Sequence, residues 1–596
     1  MMKAAALLLL LATNLLCGAA PSAADADKVK KFLGDFNAAA APVFQAGGFE
    51  DSEALFNYET DATPENKKKY NDAIAAYFKF RREWAEKALD QFKNLDDIKD
   101  ELDRRQMRII QKTGIKLDEK DAEKLAMTKT DMVEYFNKVI PGWNSKTNKP
   151  DPALKWQIEP ELIQAMAHST NPQELEYVWT EFRKVTAPIK DGYKTYVGLM
   201  NKGAMADEFK NAAEWWQYPY EMGDTLPAET RNALLKVMPL YEEVHAYVKS
   251  KLNATYADQF AKTDNPLAIP AHLLGNMWAQ TWASANVLSL TWPYKPDVGG
   301  NLDQVDENMK KMGWEGKKLY QQAEEFFKSL GMLPMTPGFY ENSLFKKKPN
   351  MASCHATAYD FFVDNQVRIK HCAMPTLDDL GTAHHEMGHC EYMIQYGGHP
   401  FVFRTAPSFG FHEAIGNILS LSVVTPKHLK KLGLLDKVVE SDEADVNFLF
   451  KQAMESVVFL PFAYLIDQYR WDIFAGKDQA DWNTHWWQLR TMFQGMAPPN
   501  ERPKDAFDAG SKYHVPANVP YIRYFLSAIH QFQFYEVMCN EAKHREAIKE
   551  MTSEKGTIDP TALLKSFDKL HKWLSQQGQW RLLWMERRLQ GECRKA

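Results

Sequence analysis

The sequence predicts a mostly α-helical protein, and three observations carry that prediction. Apolar residues recur three and four positions apart over residues 26–44, 71–92, 232–252, 302–330 and 563–589, which is the spacing of one helix face. Strand-like alternation is scarce outside one short ribbon. No internal repeat with a period of about 20–50 residues is seen, which argues against a solenoid. Pro498-Pro499 and the prolines at 516 and 520 punctuate loops rather than a linker. One large helical unit over residues 27–596 is therefore expected, although the length would allow roughly four domains.

Composition narrows the function. Apolar residues make up 45% and charged residues 25%, as in a globular protein with a large core. Glycine and proline stand at 30 each, which excludes collagen-like and long disordered chains. The net charge of −6 lacks the basic excess of a phosphate-binding surface, so no nucleic-acid partner is expected.

Residues 1–26 read as an export signal. Met1-Met2-Lys3 is a positive start, residues 4–16 are apolar apart from Thr13 and Asn14, and Ala24-Asp25-Ala26 fits the A-x-A cleavage pattern. The apolar run is shorter than the about 20 residues a membrane span needs. Leu16 is bulky where lipoprotein processing at Cys17 wants a small residue. The later run 457–466 is also short and contains Pro461, so no later span is expected. The mature protein should be exported, periplasmic or secreted, with no stable membrane insertion.

Export puts Cys354, Cys372, Cys390, Cys539 and Cys593 in an oxidising compartment. Residues 353–362 and 366–371 look like two strands around a turn at Val363-Asp364-Asn365. Cross-strand partners have numbers of constant sum, and 354 and 372 centre on Val363. A Cys354–Cys372 disulfide is predicted. Cys390, within a helical pattern, is expected to remain a thiol.

The chemistry concentrates in His385-Glu386-Met387-Gly388-His389. Residues four apart share a helix face, so both imidazoles can reach one metal ion with Glu386 beside its water. H-E-x-x-H arises by chance roughly 0.02 times in a chain of this length and histidine content. Downstream, 410–417 opens another helical pattern, and Glu413 follows His389 after 23 intervening residues. That gap lets a second helix return antiparallel and supply a carboxylate. Two histidines and one glutamate make a zinc set with one position left open.

These blocks resemble the angiotensin-converting-enzyme family of zinc peptidyl-dipeptidases. HHEMGH at 384–389 and GFHEAIG at 410–416 carry the resemblance, with PAHLLGNMWAQTW at 270–282, CHATAYDF at 354–361, HWWQLR at 485–490 and SKYHVPANVPYIRYF at 511–525. The resemblance extends over essentially the whole mature chain. It implies a helical ellipsoid split by a deep channel, with zinc at its floor and a small β-hairpin nearby. It implies a bacterial-type, single-domain, monomeric enzyme that releases dipeptides from oligopeptides with a free C-terminus.

By the same resemblance, Glu386 is the general base and acid, and Tyr524 stabilises the oxyanion with His514 beside it. His355 and the backbone of Ala356 hold the substrate as an added strand. Lys512, Tyr521 and Gln280 clamp the terminal carboxylate. A related mammalian carboxypeptidase has arginine at the Gln280 position and releases single residues, so glutamine favours dipeptides. Activating chloride is implied at two places, Arg183 with Trp486 and Arg490, and Tyr220 with Arg523. Two departures stand out. Asn417 occupies a position where the family has aspartate, which predicts an intact site with altered zinc affinity or pH optimum. Cys539 lacks its usual partner. The competing readings are a helical zinc oligopeptidase or monocarboxypeptidase, and a silent binding protein on the same scaffold. The intact set His385, Glu386, His389 and Glu413 argues against the last.

Overall fold

The computed structural model describes residues 23–47, 52–112, 115–296, 303–352, 354–406, 408–477, 481–541 and 560–576. It is 66% helical, as the periodicity predicts. Local chemistry sets the helix ends. The Thr63 hydroxyl accepts the Asn66 N–H and Pro64 opens helix Pro64–Gln91. Thr376 caps helix Leu377–Tyr396 by accepting the Asp379 N–H, and Asp378 and Asp379 lie at the positive end of its dipole. The aromatic residues serve mainly as core: Trp179, Trp282, Tyr241 and Tyr320 are fully buried.

Several sequence expectations are corrected. The pattern at 302–330 is two helices, Asp303–Lys311 and Gly316–Ser329, separated where Gly313 takes a positive φ of 68°. Within 563–589, helices Thr561–Ser566 and Asp568–Gln576 are described and the remainder lies outside the described residues. An unexpected hairpin pairs Ile140–Asn144 with Lys149–Trp156. Pro141, Pro150 and Pro152 obscured its alternation. Asp442–Phe474 does reach the length and apolarity of a membrane span, but its apolar 18-residue stretch is 72% buried within the protein, as in a core helix. Residues 1–22 of the expected leader lie outside the described residues, and 23–26 begin helix Ala23–Gly47.

The expected ribbon is present but shorter, with Thr357–Asp360 antiparallel to Val367–Lys370. Its register pairs Thr357 with Lys370, so it centres between Val363 and Asp364, half a step from the predicted position. Just beyond the strands, Cys354 and Cys372 form a disulfide with Cα atoms 5.3 Å apart. Cys390 is a buried thiol. Helix Glu53–Thr60 covers the ribbon, with the Phe56 and Tyr359 rings 5.2 Å apart. Lys370 is fully buried and donates to Glu59 at 2.6 Å, and the Tyr359 hydroxyl donates to the same carboxylate.

A second anchor is another buried ion pair. Asp467, on helix Phe459–Phe474, is fully buried, and its Oδ2 accepts the backbone N–H groups of Tyr521 and Ile522, both at 2.6 Å. Its Oδ1 accepts from Arg470, which donates in turn to the carbonyls of His514 at 3.0 Å and Val519 at 2.8 Å. One ion pair thus ties down the loop between 511 and 522 at four of its backbone groups. Asp467→Ala would leave a buried guanidinium unpaired, so unfolding stability should drop by about 3–5 kcal/mol. Urea denaturation measures this, and an unchanged midpoint would contradict the anchoring role.

Candidate active site

The HEMGH helix, Leu377–Tyr396, packs against helix Phe409–Val423, which also packs on helix Ile522–Glu541. Where the first two cross, both chains carry glycine. A Cβ on Gly388 would lie 3.2 Å from the Gly416 Cα, and one on Gly416 would lie 2.7 Å from the His385 ring. The close approach brings three ligating atoms together. His385 Nε2 is 2.9 Å from His389 Nε2 and 3.6 Å from Glu413 Oε2. Ligands about 2.0–2.2 Å from a tetrahedral zinc are separated by roughly such distances, so the donor set fits that ion. Among the described residues it is the one cluster of this kind.

The electrostatics suit a cation. Burial opposes charge on Glu413, yet the adjoining His385 and His389 rings hold its carboxyl down at about 2. Burial, then His385 and His412, pushes His389 well below the usual histidine range, which keeps its imidazole neutral for ligation. Glu386 is 7% exposed, and burial pushes its carboxyl above the ordinary glutamate value. A raised pKa makes it a better proton acceptor than a solvated carboxylate.

These groups line a channel of about 3750 Å³, and so do Gln280, His355, Ala356, Lys512, His514, Tyr521 and Tyr524. Lys512 donates to Gln280 Oε1 at 2.7 Å and sits 5.7 Å from the Tyr521 ring centre, so the three expected clamp residues converge. The His514 ring lies 4.9 Å from Tyr521 and 5.4 Å from Tyr524. His355 and Ala356 extend from the strand at Thr357–Asp360 along the channel wall.

The remaining predicted residues divide. Arg183, Trp486 and Arg490 surround a separate small cavity, in which the Nε atoms of both arginines lack a hydrogen-bond partner. Arg523 lines the channel and lies 4.5 Å from the Phe409 ring, and Tyr220 meets that ring edge-on at 6.3 Å but lines neither space. Sequence reasoning missed the Gly388–Gly416 approach and the role of Asp467. It also passed over His412, whose Nδ1 is 2.6 Å from His389 Nδ1. Its position next to Glu413, on the turn that faces His389, is a signal that could have found it.

Gly416→Ala should leave the helices intact but force the His385 ring aside. Zinc binding should weaken roughly tenfold or more, judged by the cost of losing ligand orientation. Competition against a fluorescent chelator measures it, and wild-type affinity would show that the ring has room to spare.

Comparison with known proteins identifies the family. A profile of the family described as angiotensin-converting enzyme matches residues 23–552. The protein is similar to angiotensin-converting enzyme of Haematobia irritans exigua, at 39% identity over 495 residues, 82% of this chain and 79% of the relative. The Theromyzon tessulatum enzyme is 36% identical over 528 residues, 86% of this chain and 82% of the relative. The Bos taurus enzyme is 35% identical over 593 residues, 93% of this chain but 44% of the relative, so the chain spans less than half of that protein. Two glycine-paired helices that bring a two-histidine, one-glutamate set into a channel, and a match over most of its length, make this chain a member of the angiotensin-converting-enzyme family.

Proposed function

We propose that the protein is an exported zinc peptidyl-dipeptidase that removes dipeptides from the C-terminus of oligopeptides. The observation that carries this is the convergence of His385, His389 and Glu413 beside the buried Glu386, in the same channel as the Lys512–Gln280–Tyr521 cluster. The disulfide at Cys354 and Cys372 suits an exported protein. His385, His389 and Glu413 would hold the ion. When bound, zinc supplies Lewis-acid polarisation of the scissile carbonyl and a lowered water pKa.

The chain's own residues do the rest. Glu386 accepts the proton of the attacking water and returns it to the leaving amine. The Tyr524 hydroxyl donates to the developing oxyanion, with His514 beside it. The Lys512 ammonium and the Tyr521 hydroxyl meet the terminal carboxylate together with the Gln280 amide. The distance from this clamp to Glu386 sets the length of the released piece. His355 and the Ala356 backbone align the peptide as an extra strand. Chloride near Arg183, Trp486 and Arg490, and between Tyr220 and Arg523, would steady these groups, because Arg523 sits between Tyr521 and Tyr524 in sequence.

Mass spectrometry of a digested decapeptide should show successive losses of two residues, whereas losses of one residue would indicate a monocarboxypeptidase. Glu386→Gln should keep zinc and lose hydrolysis by at least about a hundredfold. Equal rates would remove Glu386 from its role. Activity should also rise as chloride is added to a chloride-free buffer, and a flat response would eliminate the anion sites.

A further inference from the structure

Each of the two histidine rings has a polar neighbour beyond the ligand set. The Asn417 side chain hydrogen-bonds His385, and His389 Nδ1 lies 2.6 Å from His412 Nδ1. Two ring nitrogens at that distance share one hydrogen, so one donates and the other accepts. The opposite side of the ring decides which. His389 Nε2 faces the metal position, 2.9 Å from His385 Nε2, and a nitrogen that offers its lone pair there carries no hydrogen. The His389 proton is then on Nδ1, and His412 Nδ1 accepts it. His412 must carry its own hydrogen on Nε2, where the Tyr396 hydroxyl oxygen lies 3.3 Å away as acceptor.

We propose that His412 is a positioning residue that locks His389 in the Nδ1–H tautomer, through a hydrogen-bonded chain running His389–His412–Tyr396. The inference rests on the metal-site reading above. It gives one helical turn two tasks: Glu413 supplies a ligand from helix Phe409–Val423, and the preceding residue aims a ligand on the neighbouring helix. Because Tyr396 stands on the same helix as His389, the chain also closes back on its starting element.

The test uses the full chain, stripped of metal and titrated with zinc against a fluorescent chelator. His412→Leu removes the acceptor at similar volume, and His412→Asn keeps an amide oxygen near the Nδ1 position. The leucine variant should bind zinc about 10–100-fold more weakly, and the asparagine variant should stay within roughly threefold of wild type. Tyr396→Phe should lie between them. The visible absorption of the cobalt-loaded protein should change shape in the leucine variant and not in the asparagine variant. Wild-type affinity in His412→Leu, or equal losses in the leucine and asparagine variants, would overturn the proposal and leave His412 as packing. A wild-type protein that binds no zinc would instead overturn the reading of the site itself.

Discussion

The site depends on two helices crossing with no side chain between them. At Gly388 and Gly416 the backbones come close enough that a methyl group on either would meet the other chain or the His385 ring. Helices with larger residues at the contact sit about 8–10 Å apart. The close approach brings ligands on separate elements within reach of one ion, because imidazole and carboxylate arms are short. The glycines lower helix propensity by about 1 kcal/mol each. That cost falls where the surrounding core is dense, with Met387, Cys390 and Ala414 fully buried.

The second half of the channel is positioned by different physics. The loop with Lys512, His514 and Tyr521 has little regular structure of its own. Beyond its own turns, four of its backbone groups are satisfied by Asp467 and Arg470, a pair fully removed from water. Buried ion pairs are weak sources of net stability, but breaking one is costly, so they suit the task of holding a loop in a single arrangement. Close packing sets the metal side of the site, and a buried charge pair sets the substrate side.

What was legible in the sequence followed from local patterns. H-E-x-x-H and the later glutamate are readable because helical geometry alone puts His385 and His389 on one face. The disulfide was readable because a hairpin pairs residues of constant sum, although the turn at Val363 shifted the register by half a step. The hairpin at Ile140–Trp156 was illegible because its prolines mask alternation. Gly313 was easy to overlook inside a helical pattern, since a lone glycine there is often tolerated. Contacts between distant segments left no local trace at all. Asp467 meets Tyr521 across 54 residues, and nothing around either announces the other.

The union of Lys370 with Glu59 has a bearing on how the molecule is assembled. The two residues are 311 positions apart. At about 5–20 residues per second, the ribosome delivers the second roughly 15–60 s after the first. Helix Glu53–Thr60 therefore lacks its counter-ion over that interval, with its Phe56 face unmatched until the ribbon arrives. The covering helix is, in this respect, finished well before the surface it covers exists.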